Sequence, residues 1–562
     1  MEQNGLKKND YFLITSFLAI LLPIVLLVFR AEDDNRLTSW NWAFNTVDRA
    51  DFFLILTGAV VAAWGAAARI RVGKGKPYVL FGLSFFLAAL FWQEPEVIVD
   101  AARYFSQAKY LEIYGFDYFH REWGRAIFAW TDLPLVPFIY GIIFKYCGES
   151  RLVVQIFTTS LFAATVVITY LLGKTLWDED MGYCAGLLLL GFPYLLTQVP
   201  LMLVDIPTMF FLTLAVFTLV KALHHGGAGW VAAASLAIFF AFYVKYSTWV
   251  LLSEVGIIFL YYLWQAPGQT VRRGGPIALV VVIFIGLVVA DSYDIIAGQL
   301  RFLMEYQKPG LKRWGESLFS TLFFQTHPFI TAAAGYSLFA ALKKKDFRYV
   351  MISYLIVLLL GVMQVKRIRY TLPVFPMLAL MASYGLRDIK NPEVRNHIVL
   401  CAVASSLVIA LCAYVPFLRN MSAVNLMNAG RFLDSLAITK ARVVTLTGEN
   451  DIASQTVAVP LLDLYTRKRL VFFAEPDAIP PDLEKVKESS LRFTWEYPMP
   501  EYYEEDSGES QGADALVLVS GSREEPWPES LAARIKGYQH SASFNTTTSI
   551  FSYQTIVRVF YN

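Results

Sequence analysis

The chain has 562 residues, of which 56% are apolar and only 17% charged, with a net charge of +2. A soluble domain carries about a quarter charged residues. That deficit and a mean hydropathy of +0.47 exclude a soluble globular protein, and the near-neutral balance gives no ground for a nucleic-acid partner.

The apolar residues fall into long uncharged blocks, not short amphipathic periods. Blocks of about 18 or more read as membrane spans. Without barrel-like alternation the spans must be helices, because lipid leaves the backbone to satisfy itself. Lys7 and Lys8 precede the first block, and no small-residue cleavage site follows it. The block therefore reads as a retained span, not a removed signal peptide. In chain order the spans fall near 11–30, 52–69, 77–93, 152–173, 181–199, 206–223, 229–246, 248–266, 276–292, 327–342, 348–364, 370–386 and 396–417. The count is about thirteen transmembrane helices.

Loop charge sets the direction. With the N-terminus inside, the loop with Arg69, Arg71, Lys74 and Lys76 is also inside. So are Lys174, Lys221, Arg272 and Arg273, the run from Lys343 to Arg348, and the group Arg387, Lys390 and Arg395. The C-terminus then lies outside. Three outer regions remain: about 94–150, about 291–326, and everything after about 418. The segment 134–148 (PLVPFIYGIIFKYCG) is apolar but short and contains Pro137. It is expected to be a helix along the membrane surface.

The tail changes texture. RVVTLTG, RLVFFA, DALVLVSG and SIFSYQTIVRVF read as strands, and NLMNAGRFLDSLAI reads as a helix before the first of them. The expected organisation is two N-terminal helices in 1–76, a transmembrane core in 77–418, and a small extracytoplasmic α/β domain in 419–562.

Candidate chemistry lies on the outer face. Asp100 follows a span. If its segment is helical, Glu96 sits one turn before it on the same face. A carboxylate among apolar residues there is a fair general base, although acids also favour a plain helix start. Asp205, in QVPLMLVDIPTMFF, opens a later span, where Pro207 makes N-capping the simple alternative. The segment QVKRIRYTLPVFP brings Lys366, Arg367, Arg369 and Tyr370 to the outer side, against the positive-inside pattern. A phosphate at the membrane surface supplies a reason for that cluster, and lipid headgroups supply a plainer one. Arg301, Lys308, Lys312 and Arg313 form either an amphipathic lid over the same site or an interfacial helix.

There is no phosphate-cradling glycine loop and no metal-ligand spacing; the four cysteines read as apolar packing. No cofactor or metal is expected.

Four segments, DAARYFSQAKYLEIYG, DLPLVPFIYGIIFKYCGESR, PLMLVDIPTMFF and KRIRYTLPVFPMLAL, carry a resemblance to GT-C type membrane glycosyltransferases. The similarity is to the branch of protein O-mannosyltransferases and lipid A aminoarabinose transferases. FYVKYSTW, with Lys245 and Tyr246, resembles a further segment more loosely. The match runs from about 94 to 386.

The resemblance implies a polyprenyl-phosphate sugar donor and an acceptor hydroxyl on a protein, lipid or glycan, with inversion at the sugar and no essential metal. It implies Asp100 as base, Asp205 as its aid, and Arg367, Arg369 and Lys366 on the donor phosphate, with Tyr370 and Lys245 beside them. It also implies the plasma membrane of a prokaryote. Two departures stand out. Asp100-Ala101 stands where much of the family has Asp-Glu, which leaves Glu96 to supply any second carboxylate. The two spans before residue 77 are extra. A WWDYG-like segment is missing, which argues against an oligosaccharyltransferase. The competing expectations are a transporter or lipid flippase, which needs inverted repeats and mid-membrane charges, and a membrane scaffold for the C-terminal domain.

Overall fold

The computed structural model describes residues 8–29, 47–67, 75–307, 326–361, 368–446, 454–473, 491–504, 514–521, 527–547 and 554–562. Lys308, Lys312, Arg313, Lys366 and Arg367 lie outside the described residues.

The chain is an integral membrane protein. It opens with helices α1 (Lys8–Phe29), α2 (Arg49–Ala67) and α3 (Lys76–Ala89), followed by α4 (Asp100–Glu122) and α5 (Leu135–Cys147). Then come α6 (Arg151–Leu176), α7 (Glu179–Leu189), α8 (Pro193–Gln198), α9 (Asp205–His225) and α10 (Ala228–Val244). The series continues with α11 (Tyr246–Leu251), α12 (Ser253–Gln265), α13 (Pro267–Asp291) and α14 (Tyr293–Phe302). Further helices at Pro328–Lys344, Val350–Gly361, Phe375–Leu386 and Pro392–Ile409 complete the helical body.

A helix lies at every predicted span. Seven stretches among the described residues are long and apolar enough to cross a membrane, and Lys76–Ala89, Ala228–Val244 and Phe347–Gly361 are shorter apolar helices. Two predicted spans differ in detail. The block 181–199 is broken between α7 and α8, where Pro193 starts a new helix. The block 370–386 opens as a 3₁₀ turn, Ile368–Val374, before its α-helix. This turn is what presents Arg369 and Tyr370. The segment 134–148 is helical as expected, as α5.

Within 94–150, α4 and α5 pack side by side. Gly141 lets them touch: a Cβ there would meet Leu111 Cβ at 2.7 Å and the Ala108 carbonyl at 2.8 Å. The helix α4 is bent at Gly115, whose φ of +86° strains any side-chain-bearing residue.

The tail forms a five-stranded sheet from β1 (Lys440–Leu446), β2 (Arg469–Phe473), β3 (Ala515–Ser520), β4 (His540–Phe544) and β5 (Ile556–Tyr561). The order is β2-β1-β3-β5-β4. Strand β1 runs parallel to β2 and β3, and β5 runs antiparallel to β3 and β4. The expected helix is Ala423–Ser435. Strand β4 was not expected, because HSASF is small and polar and lies at the sheet edge.

One apolar core joins the sheet to α4 and α5. Ala101, Tyr104 and Phe105 of α4 share it with Val443, Leu462, Val517 and Tyr497 from the tail. Each large side chain buried there contributes about 1.5–3 kcal/mol. A polar clasp reinforces the seam. Lys109 of α4 reaches Glu149 at 3.0 Å and also Asp463, which accepts from the Tyr503 hydroxyl at 2.6 Å. Burial, with Asp463 beside it, pushes the Glu149 carboxyl up to about 8, although Lys109 pulls the other way.

Candidate active site

The start of α4, the loop after Phe128, the start of α9, the break between α10 and α11, and the 3₁₀ turn at Arg369 converge at one end of the helical body. Asp100 is the first residue of α4, and Val99 before it provides no side-chain cap. The Asp100 carboxylate pairs through Oδ2 with Nη2 of Arg369 and through Oδ1 with Nη1 of Arg103 at 3.4 Å. All three side chains are buried.

Asp205 is the first residue of α9 and does not act as its cap, so the capping alternative fails. Its Oδ1 instead accepts from Lys245 Nζ at 2.7 Å. Lys245 sits in the extended residue between α10 and α11, and its ammonium lies 5.2 Å from the centre of the Tyr370 ring. Both carboxylates, Asp100 and Asp205, act electrostatically on Arg369. The structure thus brings together Asp100, Asp205, Arg369, Tyr370 and Lys245.

Arg369 is left incomplete. Its Nη2 meets Asp100, yet Nε and Nη1 are buried with no hydrogen-bond partner among the described residues. Unmet buried N–H groups on a cation are costly, at about 1–3 kcal/mol or more each. Each of the two unmet nitrogens, one on either side of Nη2, can donate to an oxyanion.

Glu96 goes elsewhere. The residues before Asp100 are not helical, so the one-turn spacing between Glu96 and Asp100 does not form. Glu96 is buried with Arg151 instead: Oε1 accepts from Nε at 2.8 Å, and Oε2 accepts from the Met202 amide at 3.1 Å. The remaining nitrogens of Arg151 donate to the carbonyls of Trp92 (3.1 Å) and Glu94 (2.7 Å). Burial raises the Glu96 carboxyl above its usual value, opposed by Arg151. Nearby, burial pushes Glu94 up to about 7 despite Arg419 at 3.3 Å.

Five residues of the network escaped the sequence reading. Arg103 binds Asp132 with two nitrogens, one of them at 3.1 Å, and its Nη1 donates to the Tyr497 hydroxyl. Asp132 also accepts from the Tyr104 hydroxyl at 3.2 Å and from Gln107 Nε2 at 3.3 Å. Two residues before it, Trp130 holds a φ of +52°, a conformation that non-glycine residues seldom adopt. The available signal for Arg103 was its three-residue step from Asp100. The signal for Asp132 was its place at the head of DLPLVPF.

Residues 132–292 match the family model described as dolichyl-phosphate-mannose-protein mannosyltransferase. The matched stretch includes Asp132, Asp205 and Lys245. The crystal structure of ArnT from Cupriavidus metallidurans bound to undecaprenyl phosphate is similar at 11% identity. That match covers 87% of this chain and 98% of ArnT, with a TM-score of 0.52. The apo form of ArnT is similar at 11% identity over 85% and 97% of the two chains, with a TM-score of 0.51. An oligosaccharyltransferase of Archaeoglobus fulgidus in complex with zinc and sulfate gives 13% identity over 78% and 67%, with a TM-score of 0.39. No protein of curated function matches the chain in sequence. The chain has the ArnT-like GT-C fold, a polytopic α-helical body with a small sheet near its C-terminus. In fold and in the matched stretch it is similar to GT-C membrane glycosyltransferases.

Proposed function

We propose that the chain transfers a monosaccharide from a polyprenyl-phosphate donor to an acceptor hydroxyl, with inversion at the sugar. The reaction takes place on the outer face of a prokaryotic plasma membrane, with the N-terminus inside and the C-terminal sheet outside. The observation that carries this reading is the pair of unmet guanidinium nitrogens of Arg369 beside Asp100. Support comes from the family description of residues 132–292 and from the undecaprenyl phosphate in the ArnT structure.

In this reading the donor phosphate accepts from the unmet nitrogens of Arg369, with Lys366 and Arg367 adding charge from the same segment. Competition from the phosphate weakens the Asp100–Arg369 pair and frees Oδ2 of Asp100 to accept the acceptor's hydroxyl proton. The acceptor oxygen attacks the anomeric carbon on the face opposite the phosphate. As the new C–O bond forms, the bond from the sugar to the phosphate oxygen breaks. The electron pair leaves with polyprenyl phosphate, whose charge Arg369 stabilises. Asp205 fixes Lys245 under Tyr370 and shapes the phosphate side of the site.

The test uses purified protein in nanodiscs with a panel of polyprenyl-phosphate monosaccharides. Wild type releases free polyprenyl phosphate from at least one donor. Asp100→Asn with an unchanged thermal midpoint lowers that rate by about 10²–10⁴. Failure to release from every donor counts against the transferase.

A further inference from the structure

A cavity of about 230 Å³ lies at the seam between α4, the loop at Ala126–Phe128 and the tail segment 497–501. It is separate from the Arg369 socket but shares a wall with the site. Arg103, which touches Asp100, also lines this cavity. Its walls combine aromatic faces with hydrogen-bonding groups. Tyr110, Phe128 and Tyr497 supply the faces, and Met499 and Pro500 add apolar surface. Gln107, also in the lining, is buried. Its Nε2 donates to the Phe128 carbonyl at 3.0 Å and to Asp132, but its Oε1 has no partner among the described residues.

The chemistry that completes such a cavity is specific. An unmet buried acceptor needs a donor, and a ligand hydroxyl provides one. The electron-rich faces of aromatic rings attract positively polarised edges. A pyranose ring offers both, with C–H bonds on its faces and hydroxyls around its rim. Ligand pockets for drug-sized molecules run from about 300 to 1,000 Å³, so this smaller one suits a single ring and not an acyl chain. A second cavity differs in kind. It is lined by charged groups, several of them paired, as in Arg387–Asp178 and Arg395–Asp180, both at 3.2 Å.

We infer that the seam between α4 and residues 497–501 is a saccharide-binding subsite, and that the acceptor of this chain is a glycan. The inference rests on the transferase reading for its acceptor role, while saccharide binding is measurable alone. It also gives the C-terminal sheet a role, since the tail supplies half of the subsite wall.

The test is saturation-transfer NMR on the full chain in nanodiscs, with methyl pyranosides as probes and serine- and threonine-containing hexapeptides as competitors. Binding of undecaprenyl phosphate is followed in parallel. Ala126→Trp fills the cavity from an exposed position, and Met499→Trp fills it from the tail. Neither residue belongs to the catalytic network. Wild type is expected to give ring-proton signals from at least one pyranoside. Both variants weaken these at least tenfold while undecaprenyl phosphate binding is unchanged. The inference is overturned if no pyranoside is contacted, if the variants keep the wild-type signal, or if hexapeptides alone bind and the variants abolish that. Pyranoside binding that the variants abolish, without any undecaprenyl phosphate binding, leaves the saccharide site standing and removes the transferase reading.

Discussion

Two buried arginine–carboxylate pairs stand near the same end of this protein, and they differ in one respect. Arg151 with Glu96 is complete: every guanidinium nitrogen and both carboxylate oxygens have partners. Arg369 with Asp100 is not, since Nε and Nη1 of Arg369 meet nothing among the described residues. A saturated buried pair can only hold parts together. An unsaturated one is held at a cost and gains by binding an anion. The contrast separates the pin from the site, although the two acids, Glu96 and Asp100, are near neighbours in the chain.

The largest expected effect breaks the open pair. Arg369→Ala removes the donors proposed to face the leaving phosphate and is expected to lower the transfer rate by about 10²–10³. The thermal midpoint stays within a few degrees, because Asp100 keeps Arg103 at 3.4 Å. Arg369→Lys recovers little, since an ammonium lacks the planar fork. Rates near wild type in either variant contradict the assignment.

Breaking the closed pair has the opposite signature. Arg151→Met strands the buried Glu96 and is expected to cost about 3–5 kcal/mol of stability. Glu96→Gln costs less, because the amide still pairs with the Met202 N–H. In both, the activity of the folded fraction remains. Denaturation monitored beside specific activity separates the two outcomes. Loss of activity without loss of stability makes Glu96 a catalytic residue after all.

A smaller effect tests the seam. Burial holds the Glu149 carboxyl at about 8, above its ordinary value of 4.5. The folded state therefore binds more protons than the unfolded state between those values. Stability is fully present below about 4.5 and is lost as pH rises through 8. Glu94, at about 7, adds to the same slope at its lower end. The thermal midpoint of wild type is expected to fall from pH 5 to pH 8. Glu149→Gln is expected to flatten the part between pH 7 and pH 8. An unchanged slope there contradicts the raised value.

The sequence made part of this plain for physical reasons. Lipid forces apolar blocks into helices, so the body was readable throughout. Asp100, Asp205 and Arg369 stood out because each is a charge in an apolar setting that loop charge predicts to face outward. Gly115, fifteen residues after Asp100, was part of a recognised segment, and its φ of +86° explains why a glycine stands there. Glu96 was misplaced because its spacing from Asp100 implies a shared helix face only if the helix already runs there, and α4 begins at Asp100. Tyr497 left no trace, since it reaches Arg103 across 394 positions of chain. Contacts across so large a separation are fixed by tertiary packing, which local pattern does not encode. Strand β4 was silent because an edge strand of small polar residues has no apolar alternation.

In the proposed function the open pair is an anion site and the closed pair is not. The most direct measurement is the affinity of undecaprenyl phosphate for the purified chain in nanodiscs, compared among wild type, Arg369→Ala and Arg151→Met. The account predicts that Arg369→Ala weakens binding at least a hundredfold with the fold intact, whereas folded Arg151→Met binds as wild type does. Equal affinity of wild type and Arg369→Ala contradicts it.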